Sequence, residues 1–497
     1  MKSKQNNITQ LVTLKQIRTS FFNIYHASKN DIPPGAGLIH DQTVKLLKFL
    51  IPQSSSVLDI GCGKGLLLNE LNPINGLGID ISNVAISKAK EKFPHLEFIE
   101  GDMEKGITLN RKFDYILLSN TIGDFLDVLE ALKNTKPFCN PTTRIIINYY
   151  NALWDPIIQT ATLLGLRKSG FKKNWFSLRD IKTMLNLSGF QVITSGTKLL
   201  CPFKIPLIAP FLNKFIAILP FFRGLNLITY AVARGINLGE EEAGEKSVTI
   251  VIPTRNEKGN IRAAVERTPQ LGSHTELLFV DGDSTDGTIE EIKKYIALYD
   301  GKRDIKLLHQ VENSSTGTNT KMLKLGKGDA VRKGFSKATG EILMILDSDL
   351  TVAPEELDKF YNAILNNKAE FINGNRLSYP LQKDSMRFLN IIANRFFGIL
   401  FSWLLDQQVK DTLCGTKVLT REAYFKIAQG RSFFGDFDPF GDFDLLFGAA
   451  KLNLKIQDLP IRYYPRTYGE IKIERFKHGL LLLKMCWFAF KRFKLQR

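Results

Sequence analysis

Asp347 and Asp349 lie one residue apart in ILMILDSDL, at the end of an apolar run. Residues i and i+2 of an extended segment share a face, so the two carboxylates can address one cation. Their hard oxygens suit Mg²⁺ or Mn²⁺ held against a diphosphate. A second constellation is VLDIGCGKG, where Gly61, Gly63 and Gly65 let backbone approach a ligand that a Cβ would repel. Asp59 sits inside that run, and Asp80 (GLGIDIS) and Asp102 (FIEGDME) close the next two apolar runs. A carboxylate placed like Asp80 can accept hydrogen bonds from both hydroxyls of a ribose.

Such residues need strands to carry them. Between about 40 and 150, apolar runs (Ser56 to Ile60, Gly76 to Ile81, Phe98 to Glu100, Tyr115 to Leu118, Arg144 to Tyr149) alternate with helix-like stretches, the βαβ rhythm of a parallel sheet. FSLRDIKTMLNLSGFQVIT adds a Ser-capped helix, a Gly stop and a strand. Leu200 to Phe222 is apolar but broken by Pro202, Pro206, Pro210 and Pro220, which disfavours a spanning helix. Packing against the first domain is expected for it, with a hydrophobic lid or membrane-facing insertion as the alternative. The acidic GINLGEEEAGEKS reads as a linker, and a second βα series begins at Val248. The fold class is therefore α/β, in two domains: 1–235, a linker 236–247, a second domain 248–473 and a basic amphipathic helix 474–497. A chain of 497 residues suits two or three domains at roughly 150 residues each.

The Gly-rich turn with Asp59, Asp80 and Asp102 resembles the class I methyltransferases that bind S-adenosylmethionine, over about residues 40–200. The resemblance implies a Rossmann-like fold, with Asp59 to Gly65 at the methionine part, Asp80 at the ribose, Asp102 at the adenine edge, and Ser119 and Asn120 beside the sulfonium. Asn120, Asp124, Tyr149 and Tyr150 are candidates for the acceptor pocket, although an aromatic pair after a strand more often packs in a core. NAD is the other ligand such a turn can hold, but GCGKG lacks the GxGxxG spacing.

From Val248 to Lys472 the chain resembles the inverting GT-A glycosyltransferases of the dolichyl-phosphate mannose synthase type. VTIVIPTRNEKGNI, VDGDSTDGT, GKGDAVRKGF, the DSD and YYPRTYGEIKI follow in that family's order. The resemblance implies that Pro253, Arg255 and Glu257 line the nucleotide pocket, and that Asp281 and Asp283 flank base and ribose. Lys327 would join the donor site from a loop before the DSD, Asp347 and Asp349 would bind metal and diphosphate, and Arg466 and Lys472 would close over the diphosphate. Arg376 and Arg387 would grip a lipid phosphate. Asp411, in VKDTLCGTKV, stands where relatives carry a base-side acid, and FGDFDLLF adds Asp442 and Asp444. Val280-Asp281-Gly282 departs from the family's VDD, and Asp286 is read as a turn former.

The formal charge of +17 favours anionic partners. No zinc-finger spacing or aromatic RNA-binding signature accompanies it, so phosphates and acidic lipid are expected and nucleic acid is not. Five scattered cysteines without CxxC spacing fit a reducing compartment, and the polar MKSKQNNITQ lacks the apolar region of a secretory signal. In DSMRFLNIIANRFFGILFSWLL the polar positions Arg387, Asn390, Asn394, Gly398 and Ser402 recur at helical spacing, and the basic, Phe-rich C-terminal stretch is too short to span. Both read as helices lying on a membrane surface. The expectation is a bifunctional peripheral enzyme at the cytoplasmic face. It would move a sugar from a nucleotide sugar to polyprenyl phosphate and transfer methyl groups from S-adenosylmethionine. The alternative is a glycosyltransferase with a saccharide or other hydroxyl acceptor and a non-catalytic first domain.

Overall fold

The computed structural model describes residues 2–27, 36–164, 174–236, 244–311, 326–380, 388–433, 443–469 and 475–496. It separates into two compact units, Met1–Gly239 and Glu240–Phe493.

In the first unit, strands β1 (Ser56–Ile60), β2 (Asn75–Asp80), β3 (Glu97–Glu100), β4 (Phe113–Ser119), β5 (Cys139–Tyr150), β6 (Phe190–Lys198) and β7 (Ile228–Gly235) form one sheet, ordered β3-β2-β1-β4-β5-β7-β6. All neighbours pair in parallel except around β7, which is antiparallel to both β5 and β6. Side-chain alternation sorts the core. Leu58, Ile60, Ile116, Leu118, Ile145 and Ile147 pack on one face, and Val57, Tyr115, Leu117 and Ile146 on the other. Strands buried on both faces read as continuous apolar runs. The predicted Ser cap is present: Ser177 Oγ accepts from the Asp180 N–H, and the Asp180 carboxylate accepts from Ser177 in return.

The second unit repeats the plan with β8 (Val248–Thr254), β9 (Thr275–Asp281), β10 (Asp304–His309), β11 (Ile342–Ile345), β12 (Phe371–Asn375), β13 (Lys417–Thr420) and β14 (Ile456–Pro460), ordered β10-β9-β8-β11-β13-β12-β14. Here β13 is the antiparallel member. In both units the parallel strands end at one edge, where an open α/β sheet offers its ligand crevice.

Four elements differ from the sequence expectation. The segment starting at Lys327, expected as a loop, is the helix Lys327–Lys337. Lys2–Ala27, of which only MKSKQNNITQ is read, as polar and without the apolar region of a secretory signal, is a 26-residue helix. The apolar run after Leu199 turns several large side chains outward instead of packing them on the first domain. In helix Phe388–Leu405 the stripe of Asn394 and Gly398 faces inward and Leu389, Ile392, Phe396 and Ile399 face outward, so the polar side meets protein.

Phe279 lies wholly buried in the second core. Phe279→Ala is expected to cost about 3–5 kcal/mol. Hydrogen exchange in urea should show β8–β14 losing protection early while β1–β7 keep theirs; joint loss would mean that the units unfold as one.

Candidate functional site

The turn after β1 is held by Gly61 and Cys62, whose N–H groups both donate to Ile79 O at 2.7 and 3.1 Å. Gly61 and Gly65 both adopt φ +77°, and a Cβ at Gly61 would run into Thr121 while one at Gly65 would stand 2.6 Å from the Phe98 ring. Only glycine meets both demands. Asp80, ending β2, accepts from the N–H groups of Gly63 and Ser82, each at 2.9 Å. Burial raises its carboxyl above the ordinary range, and those N–H groups oppose the rise. Asp59 is buried with no hydrogen-bond partner for Oδ1 among the described residues, and burial followed by the charge of Asp80 pushes its pKa up to about 7.

A cavity opens against these groups, bounded by Gly61, Ile79, Asp80, Gly101, Met103 and Thr121. Asp102 lies beside it, with Oδ1 accepting from the Glu104 N–H at 3.1 Å. Asn120 leaves β4 at φ +57° and donates its N–H to Asn148 O at 2.9 Å. Asp124 lines the cavity, whereas Tyr149 is turned into the core with its hydroxyl donating to Asn174 O at 2.8 Å.

Sequence reasoning missed the far wall, which comes from the N-terminal helix. Arg18 is buried there, with Nη1 donating to Glu104 at 2.6 Å and Nη2 to Asp102 at 3.3 Å, and Phe22 also lines the cavity. Asn23 Oδ1 accepts from Ser82 Oγ at 2.7 Å, and a Cβ on Gly63 would stand 3.2 Å from the His26 ring. Burial, and then Lys64 and Lys88, push His26 down to about 4, so its ring is neutral near pH 7. The available signal was Arg18, Phe22 and His26 at i, i+4 spacing.

In the second unit, Thr254, Asp281 and Leu346 bring β8, β9 and the DSD to one edge. Asp347 pairs with Lys327 at the start of its helix. Asp349 Oδ2 accepts from Arg466 Nη2 at 2.9 Å, and Oδ1 accepts from the N–H and hydroxyl of Thr351 at 3.2 and 2.9 Å. Burial works to raise the Asp349 carboxyl, but Arg466 and Thr351 hold it below the ordinary range. Arg466 Nη1 also lies 3.4 Å from buried Glu257. Gly415 passes so close that a Cβ would collide with Asp347 and Lys327. Asp281 accepts from the Ser284 N–H at 3.0 Å, Asp283 is exposed at φ +64°, and Pro253 and Arg255 flank the end of β8. Asp286 accepts from the Thr288 N–H at 3.0 Å, a turn contact.

Asp411 is fully buried and doubly bound by one arginine. Arg376 Nε donates to Oδ2 at 2.7 Å and Nη2 to Oδ1 at 2.9 Å, while the N–H groups of Arg376 and Leu413 add contacts at 3.1 and 3.2 Å. Burial alone would raise the Asp411 carboxyl; Arg376 and these N–H groups hold it down. The Arg376 guanidinium also stands 5.0 Å from the Tyr463 ring centroid. Asp444 lies 3.3 Å from Arg431. Lys472, Arg387 and Asp442 fall outside the described residues.

Residues 37–195 match the sequence family described as methyltransferase domain, and residues 249–427 match glycosyl transferase family 2. The chain thus joins a methyltransferase domain to a family 2 glycosyltransferase domain. The latter is related to dolichol-phosphate mannosyltransferases. The Saccharomyces cerevisiae dolichol-phosphate mannosyltransferase is 31% identical over 121 residues, 23% of this chain and 40% of that protein. The Pyrococcus furiosus dolichol-phosphate mannosyltransferase is 24% identical over 236 residues, 46% of this chain and 59% of its own. Glycosyltransferase AglJ of Haloferax volcanii is 26% identical over 224 residues, 45% and 65% of the two chains. The chain spans less than two thirds of the length of each of these relatives. A solved SAM-dependent methyltransferase from Thermotoga maritima aligns over 44% of this chain and 99% of its own at 18% identity, TM-score 0.34.

The sequence expectation sets Asp80 at the ribose of S-adenosylmethionine and Asp59 at its methionine part; Asp80 lines the cavity, whereas Asp59 is buried and is not among its lining residues. A cofactor cation beside Asp59 would select its ionised form, so on that expectation affinity should rise with pH up to about 7, by at most roughly ten-fold per unit, and level off above. Calorimetry of Asp59→Asn should show a flat profile; an unchanged slope would remove Asp59 from the site. Arg18→Ala should weaken binding and speed proteolysis of the N-terminal helix, and full protection with unaltered affinity would contradict its role as a clasp.

Proposed function

We propose that the second domain transfers a sugar, with inversion, from a nucleotide sugar to a polyprenyl phosphate, and that the first methylates an acceptor from S-adenosylmethionine. The observation that carries the choice of acceptor is the state of Asp411. A hydroxyl acceptor needs a base to take its proton. Both oxygens of Asp411 are already committed to Arg376 and backbone N–H groups, and its carboxyl is held in the ionised form. It is therefore read as the anchor that positions Arg376. A phosphate monoester, with a second pKa of about 6, is ionised near neutrality and attacks without a base. The relatives named dolichol-phosphate mannosyltransferases support the same choice.

In this mechanism an acceptor phosphate oxygen attacks the anomeric carbon as its bond to the diphosphate oxygen breaks, and the nucleoside diphosphate departs. Asp347 and Asp349 suit Mg²⁺ or Mn²⁺: both are partly open and their donors are hard oxygens. A bound divalent cation supplies charge neutralisation for the leaving diphosphate. Lys327 and Arg466 hold these carboxylates and bring positive charge to the same edge. Arg255, Glu257, Asp281 and Asp283 frame the nucleoside at the ends of β8 and β9, with Lys472 closing over the diphosphate. Arg376 and Arg387 are assigned to the lipid phosphate. In the first domain, displacement from a sulfonium releases a neutral leaving group, so alignment by the Gly61–Gly65 turn, Asp80, Asp102 and Asn120 supplies much of the acceleration.

No helix among the described residues is long and apolar enough to cross a membrane. Helix Phe388–Leu405 and helix Arg475–Phe490 pack on each other, with Trp403 stacked on Phe490, and turn Phe396, Ile399, Leu483 and Trp487 outward. These outward-facing side chains support peripheral attachment to a membrane surface, which we assign to the cytoplasmic face.

Asp347→Ala, or chelation of the wild type, should lower transfer to polyprenyl phosphate by roughly two orders of magnitude; undiminished transfer would sink the metal role. Asp411→Asn separates anchor from base. An anchor's loss lowers the melting temperature, by the several kcal/mol of an orphaned buried arginine, and leaves the pH profile of the folded fraction unchanged. A base's loss cuts kcat about a hundred-fold or more at unchanged stability. Alkaline carbonate should release the protein from membranes, and retention in the pellet would point to a spanning anchor.

A further inference from the structure

The connection between β6 and β7 is folded inside out. Its inner face carries small side chains, Ala209 and Ala217, and polar clasps. Asn213 accepts from the Cys201 N–H and donates to Cys201 O, both at 2.8 Å, and Asn226 donates to Ala217 O at 2.9 Å and to Thr197 Oγ1 at 3.0 Å. Its outer face carries the large apolar groups. Leu207 and Phe221 are 87% and 85% exposed, and Phe203, Ile208 and Phe211 are each more than half exposed. Leu207 even holds φ +63°, a conformation that L side chains avoid, at the point where it projects most. The clasps tie this segment down, Phe211 packs against Phe215 and Phe221 against Phe222, and exposed apolar groups gathered on one short connection mark an interaction site. Trp154 Nε1 donates to Leu225 O at 2.9 Å, tying the neighbouring helix Asp155–Leu163, with exposed Ile157 and Leu163, to the same connection.

Charge selects the occupant. From Leu199 to Leu227 the chain carries Lys204, Lys214 and Arg223 and no acidic residue. Lys214 Nζ lies 5.7 Å from the Phe215 ring centroid, so cation and aromatic share one patch. A two-fold contact with a second copy would set these like charges against themselves, whereas anionic headgroups accept all three while the phenyl rings enter the acyl boundary. Topology gives the docking a direction. Because β6 and β5 are both antiparallel to β7, β6 leaves the sheet at the edge where β1, β2 and β4 present the Gly-rich turn, Asp80 and Asn120.

We propose that residues 199–227 of the methyltransferase domain dock on an anionic lipid bilayer, turning the cofactor-bearing edge of that domain toward the headgroups. This surface belongs to a different domain from the two outward-facing helices of the glycosyltransferase unit, and the proposal does not depend on the identity of the sugar acceptor.

The test is local. Phe221→Cys in the full chain, labelled with an environment-sensitive fluorophore, should show a blue shift and a several-fold rise in emission when vesicles of phosphatidylcholine and phosphatidylglycerol are added. Phe211→Ser with Phe221→Ser, both exposed and so expected to melt like the wild type, should lower vesicle partitioning by about ten-fold or more. Lys204→Glu with Lys214→Glu should lower the preference for phosphatidylglycerol over phosphatidylcholine alone several-fold. Three outcomes would overturn the proposal: no binding to either vesicle, co-flotation with the label unmoved, or a label shift that follows protein concentration without vesicles, which would assign the face to a second copy.

Discussion

A carboxylate at the end of a buried strand loses much of its hydration and must be compensated by cations, N–H groups or ligand, and both functional edges of this protein are arranged around that constraint. Asp80 is met by backbone N–H groups, Asp102 and Glu104 by Arg18, Asp347 by Lys327, Asp349 by Arg466 and Asp411 by Arg376. Asp59 and Glu104 each keep a buried oxygen without a hydrogen-bond partner among the described residues, and at Glu104 that oxygen stands 3.5 Å from Lys15.

The compensating cations also hold the architecture together. Arg18 ties the N-terminal helix to the loop after β3, 84 and 86 residues away in sequence. Arg466 closes a span of 117 residues onto Asp349 and meets Glu257 with its other terminal nitrogen. The ion pairs that neutralise these carboxylates therefore also position the segments around them: the N-terminal helix in the first unit and the strap that carries Arg466 in the second.

Outward-facing apolar side chains form a second theme. In the helix Phe388–Leu405 Asn394 and Gly398 turn inward, and between β6 and β7 asparagines clasp the chain from inside while phenylalanines project. Such inverted patterning costs solubility in water and fits a surface meant to rest on lipid.

The sequence was most legible where one residue's meaning is local. Runs apolar on both faces announced the parallel strands, the Gly61–Gly65 turn and the DSD located both edges, and Ser177 marked a helix start. The class of each domain followed from the order of those motifs. What the sequence could not supply was pairing across distance or the direction in which an amphipathic stripe would turn. Arg18 was one cation in an unremarked stretch, Asp411 and Arg376 were assigned separate tasks although each is the other's partner, and the run after Leu199 was expected to pack on the first domain. Periodicity states that a segment has two faces; only tertiary packing, through the desolvation of whichever face and charge it covers, decides which of them meets the protein.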